Sequence, residues 1–253
     1  MTITGQINSE TLNNGVPIFA PPYRWSKHWP RFTDVNCITI RYRTDGSSIR
    51  QYIPDNLQIE ETPIVTIMLL DFGFSVIGPY HELIHCVEVT YEGKKYNYSF
   101  LLILDNEEAC IGGRELLGNP KVLGTIEFDR QNRPPTAFIH GRVLRPSNTV
   151  IADIHFKPLC LVLDAGESKT PITGLNLRLI PSLIPGAPPS VREYTNVDFT
   201  LQGGEVWEGV GSLNFPSNSE FEPLHKFPVL EYLSATYHRG AWVEQRLLNV
   251  YSF

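Results

Sequence analysis

Residues 78–91 read Gly-Pro-Tyr-His-Glu-Leu-Ile-His-Cys-Val-Glu-Val-Thr-Tyr, and the fold turns on whether this stretch is helix or strand. As a helix, His81 and His85 would share one face, with Glu82 beside them. That is the H-E-x-x-H pattern of zinc metalloproteases, in which two imidazoles hold the metal and the glutamate activates water. The context opposes it. Gly78 and Pro79 precede the pattern, and Cys86 to Tyr91 alternates apolar and polar residues, which is the signature of a half-buried strand. No room is left for the long helix the metal geometry needs. On extended chain the two histidines stand about 13 Å apart at the usual rise, too far to share one ion. The stretch reads as strand and turn, and no metal site is expected.

Working outward, the same period of two recurs in Cys37–Arg43, Ile151–Phe156 and Leu175–Ile180. Ile64–Leu70 and Tyr98–Leu104 are continuous apolar runs, expected as strands buried on both faces. Helix candidates are few. Asp45 can cap a short helix over Ser47–Tyr52 that Pro54 closes, and Cys110–Leu117 can form another, ended by Gly118 and Pro120. Twenty prolines and nineteen glycines punctuate the chain, as many short strands with tight connections require. Pro181–Pro189 reads as a long surface loop. Pro17, Pro21, Pro22 and Pro30 make about residues 1–30 an irregular lead-in. The expectation is one mainly β domain with minor helix over residues 1–253.

The formal charge is −6, and seven lysines and fourteen arginines form no run. Phosphate binding needs clustered positive charge, so nucleic acid is not expected as a partner. No apolar stretch approaches the roughly 20 residues of a membrane span, and Met1 to Glu10 has no apolar signal core. A cytoplasmic location is the expectation. Cys37, Cys86, Cys110 and Cys160 lie too far apart for a zinc or redox motif and are expected as reduced thiols.

One lysine has an unusual setting. Lys121 follows Gly118-Asn119-Pro120 and enters an apolar stretch of Val122, Leu123, Ile126 and Phe128. An ammonium held among such residues loses hydration, which lowers its pKa. A neutral lysine amine is a nucleophile towards ketones and aldehydes. The competing reading is an ordinary solvated surface lysine.

Several segments, in order, resemble the acetoacetate decarboxylase superfamily. They are Tyr42-Arg43-Thr44-Asp45, Ile53-Pro54, Ile67-Met68, Tyr80-His81-Glu82, Leu104-Asp105-Asn106-Glu107, Gly113-Arg114-Glu115-Leu116, Pro120-Lys121-x-Leu123-Gly124, Leu179-Ile180-Pro181, Glu205-x-Trp207-x-Gly209 and Pro228-Val229. The block from Gly113 to Gly124 is the most specific. The resemblance implies a mainly antiparallel, cone-like β-barrel, homo-oligomeric assembly, Lys121 as a Schiff-base lysine, Glu82 as the site glutamate, and no cofactor. Such enzymes act on small keto acids or keto compounds.

The departures are as informative. Val122 stands where the decarboxylase proper has a second lysine, so a neighbouring cation cannot activate Lys121, and burial must. Asn119 replaces a tyrosine, and Thr66 replaces another glutamate. The arginine that meets the substrate carboxylate falls on Arg31 or, next, Arg24; either is equally readable as a structural ion pair. Tyr80 and Tyr251 resemble the tyrosines of divergent members that use the imine for aldol condensation, dehydration or cyclisation in specialised metabolism. The competing reading of both is a packed aromatic with its hydroxyl at the surface. The expectation is therefore a decarboxylase-like Schiff-base lyase, with aldolase-dehydratase or cyclase chemistry as the alternative and a non-catalytic ligand-binding barrel as the rival.

Overall fold

The computed structural model describes residues 2–7, 15–23, 31–129, 138–162 and 172–253. Among the described residues twelve strands form one sheet that folds on itself. Strands β1 (Phe32–Arg43), β2 (Ile64–Ser75), β3 (Tyr80–Tyr91) and β4 (Lys94–Leu104) form an antiparallel meander. β4 then pairs in parallel with β9 (Ile172–Ile180). β9 pairs with β10 (Val191–Gln202), and β10 with β12 (Glu231–Ser252). β12 returns to β1, with Phe32 opposite Val243 and Arg43 opposite Glu231. Seven strands therefore close a mixed barrel with one parallel seam.

A second layer continues from β12 through β11 (Glu205–Asn214), β8 (Val150–Val162), β7 (Ile139–Leu144) and β6 (Thr125–Phe128). The three-residue β5 (Lys121–Leu123) adds to β4 in parallel. Helices are short, as the sequence implies. α1 (Gly46–Ile49) starts at Asp45, whose side chain accepts the Ser47 backbone N–H, and runs on as a 3₁₀ turn over Arg50–Tyr52. α2 (Glu107–Leu117) begins three residues before the expected Cys110. The described parts of the lead-in, 2–7 and 15–23, contain no strand or helix.

The run Ile64–Leu70 is apolar throughout because both of its faces are covered. Val65, Ile67 and Leu69 join a core with Ile38, Ile40, Val143, Ile154 and Phe156, where the second layer packs on the barrel. Met68, Leu70 and Phe72 face the opposite way and join Phe32, Tyr80 and Leu104. Each such fully buried side chain contributes about 1.5–3 kcal/mol. β3 is a single strand from Tyr80, so the H-E-x-x-H pattern is extended chain. His81 is held by Asp105 at 2.8 Å. His85 is fully buried, edge-on to Phe100 and Phe227. The two histidines stand in different surroundings, one on the Asp105 carboxylate and one among aromatic rings.

Candidate active site

Helix α2 and its exit place Lys121. Asn106 caps α2 through the Ala109 N–H, and Glu107 and Glu108 complement the positive end of the helix dipole. At the other end Gly118 takes a left-handed conformation (φ 67°), and its N–H donates to the Arg114 carbonyl. The Asn119 N–H donates to the Gly113 carbonyl. This is a glycine-terminated helix end, and Pro120 prevents any continuation. The chain emerges in β5 with Lys121 opposite Leu102 of β4. The Arg114 guanidinium donates to the Lys121 carbonyl at 2.8 Å. Gly113 lies directly under the lysine: a Cβ there would come within 2.7 Å of Lys121 Cδ. The Gly113–Gly124 block is thus one structural unit, a helix end that presents a lysine.

Lys121 is 7% exposed and Glu82 3% exposed. The Lys121 Nζ lies 3.0 Å from Glu82 Oε1 and donates to Oε2 at 3.3 Å. The carboxylate offsets the hydration the ammonium loses. Tyr80, two residues earlier on the same face of β3, is buried with its hydroxyl near the Glu82 carboxylate. Burial, then the Glu82 charge, hold its phenol well above the usual tyrosine range, so it remains a donor at neutral pH.

These three groups open on a cavity of about 570 Å³ inside the barrel. All seven barrel strands contribute to its wall, and α2 with Tyr23 contributes at one end. Most of the wall is apolar, including Phe32, Met68, Phe72, Ile84, Val197 and Phe199. Cys86 also lines it, but burial pushes its thiol up to about 12, which leaves it un-ionised and unreactive.

The other expected site residues lie elsewhere. Arg31 is exposed, does not line the cavity, and bears instead on Glu244. Arg24 is outside the described residues. Tyr251 faces away from the cavity, with its hydroxyl 3.1 Å from that of Tyr96 and its ring edge-on to Tyr91. Asn119 does line the cavity; Thr66 is buried but does not. The sequence reading missed Tyr23, Asn97, Ser99 and Asn176 on the wall. Strand parity carries a signal for the last three. Nothing local marks Tyr23, which is held by a 2.6 Å bond from its hydroxyl to Glu115.

One group of metal-ligand type exists among the described residues. His140, Asp153 and His155 bring donor atoms within 4.8 Å of one another on β7 and β8. It is outside the cavity wall, and its carboxylate is already bonded to His140 at 2.6 Å.

The family model for acetoacetate decarboxylase (ADC) matches residues 15–251. The chain belongs to the acetoacetate decarboxylase family. Acetoacetate decarboxylase 2 of Mesorhizobium japonicum is 30% identical over 224 residues, covering 87% of this chain and 82% of that one. Acetoacetate decarboxylase of Clostridium acetobutylicum is 28% identical over 226 residues, covering 88% and 89%. A solved acetoacetate decarboxylase structure superposes with a TM-score of 0.81 at 24% identity, covering 97% of this chain and 99% of that one. The enduracididine biosynthesis enzyme MppR, complexed with the condensation product of pyruvate and imidazole 4-carboxaldehyde, superposes with a TM-score of 0.73 at 13% identity over 97% of both chains. At such identities these two structures show the common fold. The expected barrel is present, with the parallel β4–β9 seam as an addition to the antiparallel plan. Among the described residues no helix is long and apolar enough to cross a membrane.

Proposed function

We propose that the chain is a lysine Schiff-base carbon–carbon lyase that converts a β-keto acid to a ketone and CO₂. The observation that carries this reading is the buried Lys121–Glu82 pair opening on a largely apolar cavity walled by the barrel strands. A solvated surface lysine would have neither the burial nor the partner. Relatives at 28–30% identity bear the name acetoacetate decarboxylase, which supports the reaction class.

The chemistry balances with side chains alone. Glu82 takes a proton from the Lys121 ammonium, and the free amine attacks the keto carbon. Water leaves, giving a protonated imine. The bond to the carboxylate then breaks; its electron pair moves towards the iminium nitrogen and leaves an enamine, and CO₂ departs. The enamine carbon is protonated, and water hydrolyses the imine to release the ketone and regenerate the amine. Glu82 is placed to move these protons, and Tyr80 to hold Glu82 in position.

A second reading has its own support. Among the described residues no arginine lines the cavity, so a substrate carboxylate finds no guanidinium partner among them, and a tyrosine hydroxyl stands near the site glutamate. Both favour aldol, dehydration or cyclisation through the same imine, the direction in which the ligand carried by the fold relative MppR also points.

The test is borohydride reduction in the presence of candidate keto acids, followed by peptide mass analysis. A stable adduct on Lys121, lost in Lys121→Arg, is expected. Activity that survives Lys121→Ala with no adduct in the wild type would remove the mechanism and leave a ligand-binding barrel. CO₂ release in the same assay separates decarboxylation from aldol chemistry.

A further inference from the structure

The cavity is far larger than acetoacetate needs. At about 570 Å³ it falls among sites that hold drug-sized ligands, about 300–1,000 Å³, whereas acetoacetate has only a handful of heavy atoms. It runs along β3, whose Tyr80, Glu82, Ile84 and Cys86 all line it. Glu82 and Cys86 both line it four residues apart, about 13 Å at the usual rise. Lys121 and Glu82 lie towards one end, since Glu82 is opposite Leu104 on β4. Cys86 is opposite Ser99 at the other end.

The wall changes character along this axis. Between the two ends it is built from side chains such as Ile84 and Leu102. At the far end Asn97 and Ser99 of β4 stand beside Asn176 of β9. Their presence on the wall depends on the shift of register where Cys86 faces Ser99 and His85 faces Leu101. Phe100 is the extra residue, and the bulge lets both Ser99 and Leu102 point inward. Among the described residues no side-chain hydrogen bond engages Asn97 or Ser99. Asn176 donates to Thr195 Oγ1 at 3.3 Å. A neutral amide and a hydroxyl in an apolar chamber take their partners from water or a ligand. Among the described residues no charged side chain lines this end, so a charged tail would find no compensation there for its lost hydration.

We infer that the substrate is a keto compound with an apolar tail of several carbons, ending in or near an uncharged hydrogen-bonding group at Asn97 and Ser99. This rests on the Schiff-base reading, with Lys121 holding the keto carbon at one end of the cavity. The tail replaces water along the apolar stretch, and the polar pair reads its tip.

The experiment compares acetoacetate, 3-oxohexanoate, 3-oxooctanoate and 3-oxooctanedioate by the rate of Lys121 trapping with borohydride. In parallel, binding of butanoate, hexanoate and octanoate to the wild-type chain is measured by calorimetry; these acids cannot form an imine. Trapping and affinity are expected to rise about fourfold per methylene, the dicarboxylate is expected to lag its monoacid, and Ser99→Phe is expected to lower the octanoate-to-butanoate ratio at least tenfold. Lys121 adducts with no gain from tail length, or a dicarboxylate that exceeds its monoacid, would overturn the inference and leave the Schiff base intact. Absence of all adducts with a length-dependent affinity for the saturated acids would overturn the Schiff base and leave the tail-binding chamber. Absence of both would overturn both.

Discussion

At the scale of single residues, the pairing of Lys121 with Glu82 decides most. The sequence pointed to burial alone as the influence on Lys121, because Val122 replaces a second cation. The structure adds a carboxylate at 3.0 Å. A buried pair of this kind is costly to break from one side, about 3–5 kcal/mol. Glu82→Leu is therefore expected to lower the unfolding free energy by that amount in denaturant titration. Glu82→Gln keeps the shape and a hydrogen-bond acceptor; it is expected to leave the melting temperature near wild type and to cut kcat about 10²–10⁴-fold. His85 gives a different signature. Burial lowers its pKa from 6.5 to about 3, so it stays neutral in the fold. Above about pH 6.5 it is neutral folded or unfolded and its contribution is fully present. As pH falls towards 3, the unfolded chain binds a proton that the folded chain refuses, and stability is lost. His85→Phe is expected to flatten that part of the pH–stability curve measured by urea unfolding.

At the scale of elements, α2 and β5 behave as one device. Gly113→Ala would push a methyl against the lysine side chain. The expected outcome is a loss of Lys121 trapping of at least tenfold, with only a small change in melting temperature, read by borohydride labelling beside thermal melts. Strands with one covered face, such as Ile151–Phe156, were legible because alternation is what half-burial looks like in sequence. The Gly113–Gly124 block was legible as a motif, and its helix ends at Gly118 as the sequence implied. Tyr251 was not. Gln245 and Leu247 face the cavity, and simple alternation would send Tyr251 there as well. Asn196 pairs with Asn249 and Val197 with Leu247, so Leu248 is an extra residue, and the bulge turns Tyr251 outward. A one-residue bulge leaves no trace in period-2 reading, yet it reverses every side chain beyond it.

At the scale of the whole molecule, β12 carries the architecture. Its residues 231–243 pair with β1, 236–239 also with β11, and 242–252 with β10. Its residues therefore change surroundings along its length, which hides a 22-residue strand from any single periodicity. Exposed apolar side chains at Leu179, Ile180, Leu183 and Ile184, on β9 and the loop after it, offer a surface for the homo-oligomer the family resemblance implies. Light scattering is expected to give a mass that is a multiple of 28.7 kDa, reduced by Leu183→Asp. The β1–β12 pairing also sets a timetable for biosynthesis. Phe32 meets Val243 across about 200 residues, and ribosomes add about 5–20 residues per second. The first barrel strand must wait about 10–40 s, with one backbone edge bare, for the strand that closes the ring. During translation this edge is the chain's point of exposure to aggregation and the place where a chaperone would have most to cover.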